Sequence, residues 1–112
     1  MKRPELNRKL VLEAPVRSPD GAGGWSESWA ALGTVWAAVK AGTGREAEAA
    51  GLSISSASYR ITVRGAPQGA PSRPVAGQRF IDGARRFRVL AVTEADAGAR
   101  YLTCFAREEV VA

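Results

Sequence analysis

Apolar and polar positions alternate along most of this chain. From Lys9 to Val16, Leu10, Leu12, Ala14 and Val16 fall on one side and Lys9, Val11 and Glu13 on the other, the period-two pattern of a half-buried strand. Pro15 has no N–H for a ladder and predicts fraying there or an edge position. A second strand-like region covers Trp25 to Lys40, where Val35, Ala37 and Val39 alternate with Trp36 and Ala38 and Gly33 predicts a bulge or a break into two strands. Of Trp25, Trp29 and Trp36, the last, placed between Val35 and Val39, is the one expected in the core. Ser58 to Arg64 alternates cleanly, with Tyr59, Ile61 and Val63 facing away from Ser58, Arg60, Thr62 and Arg64. Arg79 to Ile81 and Arg85 to Thr93 flank Asp82-Gly83, a dipeptide suited to a tight hairpin turn, and Phe87, Val89 and Ala91 alternate with Arg86, Arg88 and Leu90. Arg100 to Arg107 reads as a last strand.

The connections add shape to this list. Residues 17–25 read as a projecting loop: Pro19-Asp20 opens it, and Gly21, Gly23 and Gly24 permit positive φ angles and a long excursion ending at Trp25. Thr43-Gly44-Arg45-Glu46 is a capping-box pattern, predicting a short helix over residues 43–51 that stops at Gly51. Two turns cannot hold themselves in isolation, so this helix must rest on the sheet as a thin lid. Leu52 and Ile54 share one parity and Tyr59, Ile61 and Val63 the other, so a bulge or small loop belongs within Ser55 to Ser58. Residues 65–78 hold Pro67, Pro71 and Pro74 among several glycines and predict a long, partly extended loop. Six short strands, one short helix and no repeated βαβ spacing predict a mainly β fold. The expected architecture is a small antiparallel β-barrel with a long projecting loop, built from one domain over residues 1–112.

Composition narrows the chemistry. No apolar run approaches the roughly 20 residues needed to span a membrane. Met1-Lys2-Arg3-Pro4-Glu5 leads into no signal-peptide core, which predicts a protein made and used without secretion or a membrane. The chain has no histidine, so the usual general base is missing. Cys104, the sole cysteine, has no partner for a disulfide or a metal site and is expected as an inert packed thiol. These residues predict no enzyme, no catalytic residue, no cofactor and no metal.

The net charge is +5, and the second half carries most of the excess. Arginines scattered on strands, such as Arg60, Arg64 and Arg88, either meet phosphates or pair across a protein interface, and the interface is the commoner use. A small nucleic-acid-binding barrel is the alternative function. It is weakened because Tyr59 and Phe87 are the only aromatics interleaved with the arginines.

Taken in order and spacing, several segments resemble the tailed-phage head-tail joining family, also called head-closure or stopper proteins. They are Leu6, Arg8, Leu10 and Leu12; Asp20-Gly21-Ala22-Gly23-Gly24-Trp25; Val35-Trp36-Ala37-Ala38-Val39; Arg45-Glu46; Tyr59 to Arg64; Phe87-Arg88-Val89; and Leu102-Thr103-Cys104. The proline-rich loop and the alanine-heavy helix depart from that pattern. The resemblance implies a non-enzymatic virion protein, forming a ring, commonly a hexamer, at the head-tail junction of a phage or phage-like particle assembled in the bacterial cytoplasm. Its implied partners are copies of itself, an adaptor or portal-side ring, a tail terminator or other tail-side protein, and double-stranded DNA passing through the channel. It admits an infectious phage, a prophage remnant or a gene transfer particle as the source. On this reading Arg17, Asp20, Gly21, Gly23, Gly24 and Trp25 form a loop meeting a partner or the channel. Trp29, Arg45, Glu46, Arg60, Arg64 and Arg88 are the candidate subunit interface.

Overall fold

The computed structural model describes residues 3–42 and 58–109. The predicted helix, the residues Arg45 and Glu46, and the phase change before Ser58 lie outside the described residues.

Six strands are described: β1 (Arg8–Pro19), β2 (Trp25–Ala41), β3 (Ser58–Arg64), β4 (Arg79–Asp82), β5 (Arg85–Glu94) and β6 (Tyr101–Glu109). All pairings are antiparallel, and the order β1-β2-β3-β6-β5-β4 returns to β1, closing a barrel-like ring as the alternation predicted. Closure removes the free edges that an open six-strand sheet would expose. It also sends one parity of every strand into a single core. That core holds Leu10, Leu12, Ala37, Ile61, Val63, Phe80, Phe87, Val89, Leu102, Cys104 and Ala106, with Val35, Val39, Tyr59 and Val92 packed against it. Cys104 is fully buried, and burial pushes its thiol up to about 12, which keeps it protonated and unreactive.

β1 and β2 run well past the barrel. β4 pairs with β1 only over Val11 to Glu13, and β3 pairs with β2 only from Ala37 onward, yet β1 and β2 stay paired to Pro19↔Trp25. The six pairs from Ala14↔Ala30 outward form a two-stranded arm of roughly 20 Å at the usual strand rise. The molecule measures 54 × 29 × 26 Å accordingly. The projecting element is therefore mainly strand: Arg17 to Pro19 belong to β1, and only Asp20 to Gly24 turn. Pro15 does not fray β1. It pairs opposite Trp29 in a stretch with no described strand on its other side, so its missing N–H leaves no neighbour short.

A bulge decides which way the arm faces. The register passes from Leu12↔Gly33 to Glu13↔Ala31, leaving Leu32 as the extra residue beside Gly33 at φ +145°. The predicted break into two strands does not occur; β2 is continuous. The extra residue inverts the side-chain phase, so the odd positions that point inward at Val35, Ala37 and Val39 point outward at Ala31, Trp29 and Trp25. Trp36 corrects the expectation of a core tryptophan: it is 56% exposed, because the small Ala37 beside it takes the inward position.

β4 and β5 meet in a two-residue turn at Gly83-Ala84, one position later than Asp82-Gly83. Gly83 has φ +61° and Ala84 stays at negative φ, the type II′ arrangement that matches strand twist. β5 carries a second bulge at Leu90, after which Val92 and not Ala91 packs on the core. Residues 65–78 carry no strand and form successive tight turns. The chain there is tied down by Arg73 Nη1 donating to the Ala66 carbonyl at 2.9 Å and by Gly77 N–H donating to the Val89 carbonyl at 2.9 Å, and Pro74 is buried.

Candidate functional site

The arm, a groove on the barrel wall and a charged barrel end are the surfaces on which the candidate residues fall. At the arm tip, Asp20 Oδ1 accepts from the Ala22 N–H at 2.8 Å and the Gly24 N–H at 3.0 Å, while Asp20 N–H donates to the Gly24 carbonyl. These amides, Ala22 first, hold the Asp20 carboxyl below its usual value. Gly21 and Gly23 sit at φ +81° and +86°, so the tip needs residues without a Cβ at both places. The structure thus gathers Asp20, Gly21, Gly23 and Gly24 into one self-bonded turn. Trp25 follows, 62% exposed, with the Arg17 guanidinium 5.3 Å from its ring centre.

At the arm's base Trp29 is clasped. The Arg79 guanidinium lies 4.0 Å from its ring centre and that of Arg88 4.9 Å, both reaching from the outer wall of β4 and β5. Arg79 Nε also donates to Glu13 Oε1 at 2.7 Å, and Arg88 Nε stands 3.6 Å from Glu109 Oε1. Stacked cations of this kind contribute about 0.5–1 kcal/mol each, enough to incline a short ribbon toward one flank. Trp29 and Arg88, assigned separately to an interface by sequence, are thus partners of each other within one chain.

The opposite flank carries the groove. Leu6, Val35, Trp36, Arg64, Gly65 and Ser72 line a cleft of about 610 Å³. Arg64 and Gly65 also border a second cleft of about 660 Å³, where Arg3, Arg100 and Tyr101 meet. Among the described residues Asp96 is the one carboxylate lining the second cleft, and it accepts from the backbone N–H groups of Arg100 and Tyr101 and from Arg100 Nε. Partial desolvation would raise its carboxyl, but the Tyr101 and Arg100 hydrogen bonds prevail and lower it. Arg60 lies on β3 beside Lys40, away from both clefts.

Sequence reading missed the charged barrel end. Arg8, Tyr59, Asp82, Arg85 and Glu108 occupy strand termini in phase with the core residues next to them, so their side chains cap the end of the barrel. Arg8 pairs with Asp82. Arg85 Nε and Nη2 donate to the two Glu108 oxygens at 2.8 and 3.1 Å, Nη2 also reaches Tyr59 Oη at 3.1 Å, and the guanidinium lies over Tyr59 and Phe87. The signal available was a charged residue two positions from a core residue at the end of an alternating run. Hydrogen bonding from Arg85 holds the Glu108 carboxyl below its usual value, against a smaller opposing cost of desolvation. A depressed carboxyl contributes stability above the unfolded glutamate pKa of about 4.3 and loses it as pH falls through the folded value. Thermal melts from pH 6 down to pH 3 should therefore show Tm falling in the acid, and Glu108→Gln should start lower and fall less steeply. Parallel slopes would refute the role given to this pair.

Comparison with known proteins places this geometry. A chain from the virion of a native gene transfer agent particle is 52% identical, with a TM-score of 0.77 over 98% of this chain and 100% of that one. A Shigella flexneri 2a protein solved in solution shares the fold at 20% identity, with a TM-score of 0.72 over 96% of each chain. No curated protein matches. The model of the phage head completion proteins matches residues 1–109, so this chain, with its closed six-strand ring and projecting arm, belongs to the phage head completion protein family.

Proposed function

We propose that the chain is a structural subunit of a phage-like gene transfer particle, sitting at the head-tail junction as one copy of a ring, six in number, around the DNA channel. It links the portal or adaptor side of the filled head to the tail terminator. The observation that carries this reading is the 52% identity, over essentially the whole of both chains, to a component of a gene transfer agent virion. The surface chemistry supports assembly: Trp25 and Trp36 are exposed although the described residues already form a closed core, and interfaces favour tryptophan and arginine.

The nucleic-acid-binding alternative loses the aromatics that are interleaved with its arginines, and Trp29 with them. Phe87 is fully buried, Tyr59 lies against it under Arg85, and Trp29 is already occupied by two guanidiniums. Bases could reach none of these without displacing a cation or opening the core.

Imaging particles from a strain lacking the chain tests the proposal. Filled heads and free tails should accumulate separately, and re-expression should rejoin them. Joined particles in normal number without the chain would overturn it.

A further inference from the structure

We infer that the arm of one copy docks in the groove on the β2–β3 flank of the next copy, and so fastens subunit to subunit. The inference rests on the ring reading above and names the surfaces that close the ring.

Strand order supplies the geometry. In the sequence β1-β2-β3-β6-β5-β4 around the barrel, β2 and β3 stand opposite β5 and β4. The arm's base is held against the β4–β5 flank, where the Arg79 and Arg88 guanidiniums lie over Trp29. The groove opens on the other flank, where Val35, Trp36 and Arg64 lie. Donor and acceptor on opposite flanks make a heterologous contact, the kind that repeats head to tail and closes into a ring. An arm of roughly 20 Å at the usual strand rise reaches most of the way across a neighbour whose two shorter extents are 29 and 26 Å.

The chemistry of the two surfaces is complementary. The outer face of the arm's far half presents Trp25 with Glu27, Arg17 stands opposite Glu27 with its guanidinium by the Trp25 ring, and Asp20 stands at the tip. The groove presents Trp36, and its second lobe gathers Arg3, Arg64 and Arg100 around Asp96, an acid already engaged by Arg100 and the backbone. Two acids against one arginine on the arm meet three guanidiniums against one acid in the cleft, and one exposed tryptophan meets the apolar lobe holding another. A charge pair that fixes register, beside a buried aromatic anchor, is the usual composition of a specific interface.

The test is cross-linking in assembled particles with a short flexible bis-maleimide, using Ala22→Cys at the arm tip and Ser72→Cys on the groove lip. Cys104 is fully buried, so the unsubstituted chain serves as the unreactive control. Copies carrying both substitutions should give a ladder ending at the ring's copy number, while an equal mixture of the two single variants should give dimers and nothing larger. Glu27→Arg or Arg64→Glu alone should lower the cross-linked yield about tenfold, and the two together should restore it. Linkage within one copy, or of the arm to another protein or to DNA, would overturn the contact. Imaging of the same particles before reaction separates the failures: a ring without a ladder refutes the arm-groove contact alone, and the absence of a ring refutes the ring reading along with it.

Discussion

Phe87→Ala should lower the stability of the domain by about 3–5 kcal/mol, the usual cost of removing a core phenylalanine. The ring of Phe87 is fully buried and stands opposite Phe80 across the β4–β5 pair. It also meets Tyr59 edge to face at 5.0 Å and 72°, and carries the Arg85 guanidinium at 4.9 Å. The aromatic pair contributes roughly 0.5–1.5 kcal/mol beyond burial, so the cavity dominates. Since small domains have about 5–15 kcal/mol in total, the loss takes a large share of it. Tm should fall by roughly 15–30 °C on the scaling for domains of this size. Phe87→Leu keeps most of the volume and loses only the ring chemistry, so it should cost a minor part of that. Urea unfolding of the two variants measures the split, and equal losses would show that the ring contacts outweigh the packing.

The alternation that located Phe87 in the core works because a strand's side chains have period two and a closed barrel has one inside. It made Ser58 to Arg64 legible, and most of β1, β5 and β6. It fails where an extra residue inverts the phase. Leu90 moves the inward position from Ala91 to Val92, and Leu32 turns Trp29 and Trp25 onto the outer face. Gly33 signalled the first bulge, but no residue type signals the second. Trp36 was misplaced for another reason: hydrophobicity alone ranked it above Ala37, whereas the crowded interior at that level takes an alanine. For the candidate site, the glycine turn and the exposed Trp25 were legible from local chemistry. The clasp of Trp29 by Arg79 and Arg88 was not, because it joins residues 50 and 59 positions apart through the order of strands around the ring.

Gly65→Ala should be nearly as damaging as the core truncation, although it adds a single methyl at a position that is not fully buried. A Cβ built on Gly65 would stand 2.1 Å from the carbonyl oxygen of Ala99, and that atom is backbone, with no rotamer to move aside. The two chains are held at that distance by Gly65 N–H donating to the Arg100 carbonyl at 2.7 Å. The Ala99 side is itself fixed: Ala99 N–H donates to the Asp96 carbonyl, and Asp96 binds the Arg100 and Tyr101 amides. Ala99 sits at φ +53°, a left-handed conformation that costs a residue with a Cβ about 1–2 kcal/mol. The turn is therefore strained and cannot relax away from a new methyl without breaking its own bonds. Overpacking of this kind costs about 1–3 kcal/mol, and the upper end is expected where the obstacle is backbone. A fall in Tm of roughly 10–15 °C follows for a domain of this size. Ala99→Gly removes the φ strain but leaves the carbonyl in place, so the double variant should remain close to Gly65→Ala. Full rescue by Ala99→Gly would mean that the turn, and not the close approach of Gly65, limits this edge. Because Gly65 and Arg64 border both clefts, a folded but shifted Gly65→Ala chain should also lose arm docking while keeping an intact core.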